Sequence, residues 1–184
     1  STQGGYCLSE KGSLSINGGT FNFEHAGGNT PMHVSCDATI SNATFNFTGD
    51  NYTSNYCAYF EGSNGSTIKN SKFIMDKCTK GGFWAGQPRL KIENSEFDIK
   101  VYPQDEGSTS YSFYGSEKCY DISINDGTYD FGYIYMHLNN NPIIKNATVS
   151  FKLRNELKLS DTAVIESSTI NCNLNNGRIS NSSD

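Results

Sequence analysis

A chain of 184 residues with a formal net charge of −5 fits one domain and argues against nucleic acid as a partner, since neutralising phosphates takes a basic face. Only 35 % of it is apolar and 18 % charged, yet aromatics make up 12 % and recur at regular places, which excludes a disordered chain and suits many short strands joined by turns. No apolar run is long enough to cross a bilayer, the start does not read as a signal peptide, and no membrane insertion is expected.

Two kinds of segment alternate along the chain. The first is a hexapeptide of the form Ile, polar, Asn, small, polar, aromatic, followed by one polar and one apolar residue. It appears as INGGTFNF from Ile16, ISNATFNF from Ile40, IKNSKFIM from Ile68 and IENSEFDI from Ile92, then as INDGTYDF from Ile124, IKNATVSF from Ile144 and IESSTINC from Ile165. The copies lie roughly 20 to 32 residues apart, a range that marks a repeat architecture.

The second kind is less regular. It opens with Tyr6-Cys7-Leu8-Ser9 and continues as Met32-His33-Val34-Ser35, Tyr59-Phe60-Glu61-Gly62, Phe83-Trp84-Ala85-Gly86 and Ser112-Phe113-Tyr114-Gly115. Met136-His137-Leu138-Asn139 and Leu157-Lys158-Leu159-Ser160 complete it, each segment ending on Gly, Ser or Asn as a strand entering a turn does. No stretch shows helical periodicity.

Strands that recur in this way without hairpin signals stack in parallel, one copy per coil, at about 4.8 Å per step. Crossovers between parallel strands are right-handed by default. The fold expected is therefore all-β: a single-domain right-handed parallel β-helix over residues 1–184, complete or a piece of a larger protein. About seven coils at that spacing make a solenoid roughly 30 Å long.

Stacking predicts columns. Ile16, Ile40, Ile68, Ile92, Ile124, Ile144 and Ile165 form one inward column, and Phe21, Phe45, Phe73, Phe97, Tyr129, Val149 and Ile170 another. Between them Gly19, Ala43, Ser71, Ser95, Gly127, Ala147 and Ser168 are all small, as a narrow corner demands. Asn42, Asn70, Asn94 and Asn146, with Asp126 in line, form a ladder at the bend, where stacked Asn side chains hydrogen-bond their own kind. Lys69 and Lys72 fall one coil from Glu93 and Glu96, and Lys145 one coil from Glu166, pairs that meet only if the copies are in register.

Cys7, Cys36, Cys57, Cys78, Cys119 and Cys172 are spread singly, without the C-x-x-C spacing of a zinc or redox site. Their even number permits disulfides and requires none; Cys172, in an apolar slot of the last repeat, reads as a buried thiol. Asn42, Asn46, Asn51, Asn64, Asn146 and Asn181 head Asn-x-Ser/Thr triplets, which this composition produces as turns and ladder positions rather than as glycan acceptors.

Two constellations carry chemistry. In the second strand the middle residue is expected to face outward, giving His33, Phe60, Trp84, Phe113 and His137, with Lys158 beyond them. Three exposed aromatics about 4.8 Å apart, flanked by imidazoles, make an apolar strip suited to the faces of sugar rings or to a protein partner. The alternative is that Phe60, Trp84 and Phe113 lie covered beneath long turns. The doublets Tyr59-Phe60 and Phe113-Tyr114 leave the register open by one residue, which would invert every side chain.

The other constellation is the outward column Asn22, Asn46, Ile74, Asp98, Asp130, Ser150, Asn171. It sets Asp98 and Asp130 side by side with carboxyls near 5 Å apart. That separation suits a retaining glycosidase pair or a calcium ion, although two acids on a solvated face are commonplace. No other cofactor is expected.

With coils, inward Ile and Phe stacks and an Asn ladder together, the chain resembles the right-handed β-helix superfamily of pectate-lyase-like proteins. That superfamily includes polysaccharide lyases and hydrolases, phage tailspikes and bacterial surface adhesins. The resemblance covers nearly the whole chain but specifies fold rather than activity. Of the N-T-D, D-D, G-H-G and R-I-K motifs of polygalacturonase-like hydrolases, only Arg89-Leu90-Lys91 approaches the last. Neither Arg89 nor Arg154 is in line with Asp98 and Asp130, as a lyase-like arrangement requires. The N-terminal helix with which the family usually caps its first coil is not seen.

The resemblance implies a non-enzymatic recognition module of a phage tail appendage or bacterial surface protein. Its partner would be a polysaccharide or cell-surface glycan, its place extracellular, on a cell surface or on a virion. A polysaccharide lyase or hydrolase using Asp98 and Asp130 is one alternative, and a spacer rod, in the manner of trimeric tailspikes a homotrimer, is another.

Overall fold

The computed structural model describes residues 12–24, 30–48, 56–78, 81–101, 111–137, 140–160, 162–174 and 177–181. The chain is a parallel β-solenoid of about six turns, one fewer than the copies of the hexapeptide suggest. Seven copies, from Ile16 to Ile165, bound six intervals. Every strand pairing among the described residues is parallel, and none of those residues is helical.

Each coil presents up to three strands, which stack into three faces. The first face is built from Ser13–Asn17, Asp37–Ser41, Ser66–Lys69, the front of Arg89–Val101 and of Asp121–Met136, Asn141–Lys145 and Val164–Glu166. On the second lie Thr20–Phe23, Thr44–Phe47, Lys72–Cys78, the continuations of the two long strands, Thr148–Lys152 and Thr169–Asn173. The third holds Met32–Val34, Tyr56–Phe60, Gly81–Ala85, Tyr111–Gly115 and the end of Asp121–Met136. Leu157–Leu159 and Ile179–Asn181 pair apart from these. The opening Tyr6-Cys7-Leu8-Ser9 segment falls outside the described residues.

The register is the one the hexapeptide dictates. Ile16, Ile40, Ile68, Ile92, Ile124, Ile144 and Ile165 are consecutive partners on the first face. The aromatic column does the same on the second, with Phe45 and Phe73 ring centroids 4.6 Å apart and Phe73 and Phe97 4.8 Å apart. Offset stacking of this kind adds about 0.5–1.5 kcal/mol per pair to what burial alone contributes.

The corner between the faces shows why Asn is used there. Asn42, Asn70, Asn94, Asp126 and Asn146 take φ values of 54°, 48°, 42°, 51° and 51°, the left-handed conformation that Asn and Asp tolerate best among residues with a side chain. From that position Asn70 Nδ2 donates to Asn42 Oδ1 at 3.2 Å and Asn94 Nδ2 to Asn70 Oδ1 at 2.9 Å. The small residues that follow also satisfy backbone: the Ala43 N–H donates to Ser71 Oγ at 3.2 Å and the Ser71 N–H to Ser95 Oγ at 3.1 Å.

Outside the coils, Lys72 meets Glu96 at 2.6 Å and Lys145 meets Glu166 at 2.9 Å, across neighbouring copies as the register requires. Lys69 and Glu93 are also register partners, but Glu93 takes Lys91 of its own strand at 2.6 Å. Cys57 is disulfide-bonded, whereas Cys36, Cys119 and Cys172 are free thiols. Cys172 is half-buried rather than fully buried, because the last coils are the least covered: Ile165, Leu174 and Ile179 are 48 %, 46 % and 45 % exposed.

Candidate functional site: an aromatic ladder and its groove

Pairing on the third face fixes which side chains point outward. Met32-His33-Val34 aligns with Ala58-Tyr59-Phe60, then with Phe83-Trp84-Ala85, Phe113-Tyr114-Gly115 and Ile134-Tyr135-Met136. The outward column is therefore His33, Tyr59, Trp84, Tyr114 and Tyr135, all half-buried. Phe60 and Phe113, expected in the strip, are instead fully buried at 0 % exposure, where Phe83 lies between them at centroid distances of 4.9 and 5.7 Å.

The reason is chemical. In a Tyr-Phe or Phe-Tyr doublet one ring must go inside, and the phenol carries a hydroxyl that needs water or a partner. His137 is not in the column either. It follows Met136 at the edge of the face and stands one outward position beyond Tyr135. His33 and Trp84 take the outward positions expected of them.

The ladder differs from a flat apolar strip. Tyr59 and Trp84 stack at 5.1 Å and 11°, Trp84 and Tyr114 at 4.1 Å and 13°, Tyr114 and Tyr135 at 4.8 Å and 12°. The inner rings thus cover one another's faces and offer solvent their edges, the phenol hydroxyls and the indole N–H. His33 closes one end edge-on to Tyr59 at 5.2 Å and 87°. On one flank Tyr56 leans edge-on against Trp84 at 5.1 Å, over Gly81, where a β-carbon would stand 2.3 Å from the Tyr56 ring. Tyr111 packs against Tyr135 at 5.2 Å and accepts a hydrogen bond from Asn155 Nδ2 at 2.7 Å.

On the other flank the next residues of each strand form a second row: Glu61, Gly86, Ser116 and His137. The backbone ladder carries them, with Gly86 N–H to Phe60 O at 2.7 Å and Ser116 N–H to Ala85 O at 3.0 Å. Two small residues between two large polar ones cut a groove of about 170 Å³ along the solenoid axis. Tyr59, Trp84 and Tyr114 line it together with Glu117 and Lys118 of the following turn. Its ends, Glu61 and His137, are three coil steps apart, roughly 14 Å.

Gly86 makes room for the Trp84 indole. A β-carbon there would lie 2.5 Å from Trp84 Nε1, so the indole N–H edge faces the floor. Glu61 Oε1 is 2.7 Å from His33 Nε2, which fixes that end. Buried Asn140 sets the far end, taking the His137 N–H on its Oδ1 at 2.7 Å and donating from Nδ2 to the carbonyls of Ser116 and Cys119.

Burial first, then the neighbouring Glu61 and Tyr114, raises the Tyr59 phenol above its ordinary range. Burial, then Tyr135, Tyr111 and Glu117, raises Tyr114. Both hydroxyls are therefore protonated donors throughout the neutral range.

The second constellation stands as the register requires, with Asp98 and Asp130 partners in adjacent coils. Asp98 is held by Lys100 Nζ at 3.1 Å, and Asp130 accepts the Gly132 N–H at 3.1 Å. Each carboxylate thus has a local partner of its own. Among the described residues no group of three His, Cys, Asp or Glu side chains is placed to hold a metal ion, and no helix is long and apolar enough to cross a membrane.

Fold and site define a class: a parallel β-solenoid whose third face carries an edge-on aromatic ladder beside an axial groove. Comparison with protein-family models, with curated proteins and with solved structures gives no match to this chain.

Proposed function

We propose that this chain is a non-enzymatic recognition module that binds a cell-surface glycan along its third face, in the manner of a β-helical phage tail appendage or bacterial surface protein. One observation carries the reading. The groove brings the Trp84 indole N–H, two protonated phenols, two carboxylates, an ammonium and an imidazole to one narrow floor made of Gly86 and Ser116. Hydroxyl-rich ligands are recognised by such alternating donors and acceptors beside apolar ring edges.

The groove is small beside the roughly 300–1,000 Å³ of pockets that enclose a whole small molecule. It runs along the axis, which suits part of an extended chain better than an isolated metabolite. A disulfide at Cys57 fits an oxidising, extracellular or virion-surface setting.

A glycan array read together with an assay for released sugars tests this. Binding without release, lost in Trp84→Ala while the circular dichroism spectrum persists, is the expected result. Release of sugars that disappears in Asp98→Asn or Asp130→Asn would replace this reading with a hydrolase or lyase.

A second reading is favoured by the stacking itself. Rings that spend their faces on one another brace the coils, so the chain would serve as a structural rod. In that case Trp84→Ala lowers stability and no glycan binds. A homotrimer built on this face would show as a fall in solution mass for the same variant.

A further inference from the structure

The groove has a charge pattern that any ligand must match, and a selectivity drawn from that pattern rests on the groove being the glycan site. Glu61, Glu117 and Lys118 line it. Leaving the imidazoles aside, two carboxylates against one ammonium give a formal charge of −1 at the groove, within a chain of −5. The carboxylates are not remote from the wall. Glu61 acts on the Tyr59 phenol and Glu117 on the Tyr114 phenol, each in addition to the larger effect of burial.

Apart from the Lys118 ammonium, the donors here are neutral: an indole N–H, which makes no hydrogen bond among the described residues, and the phenol hydroxyls. The ring edges that reach the groove are the positive rim of each quadrupole and favour oxygen over a methyl group. Hydroxyl groups of a sugar can accept from these donors and donate to Glu61 and Glu117. A uronate chain would instead set a carboxylate on every ring, and at least one would approach the exposed Glu61 or Glu117, where like charges repel.

We propose that the groove selects an uncharged glycan lying along the solenoid axis and discriminates against polyuronates. Linear neutral glycans and linear uronate-containing glycans of equal length, presented on one array at pH 7.5 and then titrated in solution, test it. At least one neutral chain should bind, and the uronate chain of the same length should bind at least about tenfold more weakly, about 1.4 kcal/mol. In the double variant Glu61→Gln/Glu117→Gln, which keeps side-chain shape, that gap should narrow.

Uronate binding as tight as neutral binding, or a gap unchanged in the double variant, overturns this selectivity and leaves glycan recognition standing. Binding to no glycan overturns both.

Discussion

The register of the third face can be tested by a pair of substitutions one residue apart. Phe60→Ala removes a ring that is 0 % exposed and stacked on Phe83 at 4.9 Å, in an apolar core. Loss of a fully buried Phe typically costs about 3–5 kcal/mol. Tyr59→Ala removes a half-buried ring whose edge faces solvent and whose stacking on Trp84 at 5.1 Å contributes about 0.5–1.5 kcal/mol beyond its area.

For a chain of this size each kcal/mol moves the melting temperature by about 2–4 °C. Phe60→Ala should therefore lower Tm by about 6–20 °C and Tyr59→Ala by several degrees at most. Thermal unfolding followed by far-ultraviolet circular dichroism, with urea midpoints alongside, reads the difference. Equal losses, or a larger loss for Tyr59→Ala, would refute the inward assignment of Phe60 and with it the ladder.

Other expectations concern the corner, acid stability and the thiols. Asn70→Ala should cost about 1–2 kcal/mol, since it strains a residue at φ 48° and removes the bonds to Asn42 and Asn94, and Asn70→Gly should recover part of that in urea melts. Asp37 accepts the Asn64 amide at 2.6 Å and the backbone N–H groups of Asn64 and Gly65 at 2.8 and 3.1 Å, which hold its pKa below the ordinary 3.8. Its contribution to stability is complete above that value and disappears as pH falls through the lowered one, so acid unfolding should be less steep in Asp37→Asn below about pH 4. Cys119, whose thiol burial pushes up to about 12, should react with a thiol reagent at pH 8 only after unfolding, as mass spectrometry of native and denatured protein would show.

Much of the fold was legible in the sequence because it depends on positions that vary little. The Ile16-to-Ile165 column, the corner Asn residues and the Asp98–Asp130 adjacency follow from aligning the hexapeptides; the strand pairing reproduces the first and last, and the left-handed corner with its Asn–Asn bonds the second. The second strand was harder to read. Lining its segments up on the Gly, Ser or Asn that ends them misplaces Phe60 and Phe113 by one residue, and His137 by two, since the turns after the strands differ in length.

A sharper signal was present at Tyr59-Phe60, Phe113-Tyr114 and Tyr135-Met136. Requiring the amphipathic Tyr to point outward and the apolar partner inward gives the observed register. The groove lay beyond that kind of reasoning. Glu61, Gly86, Ser116 and Glu117 come from separate segments of the chain, and only coil stacking brings them together.

The single tryptophan offers the most direct measurement, because Trp84 forms the groove wall and reports on whatever enters. Titration of the best-binding linear glycan should change its emission saturably. The change should vanish in Gly86→Leu, whose β-carbon alone would stand 2.5 Å from Trp84 Nε1 and push the indole off the groove wall. Saturable glycan binding that leaves Trp84 emission untouched, or binding of equal strength in Gly86→Leu, would place the recognition surface elsewhere on the solenoid and contradict the account.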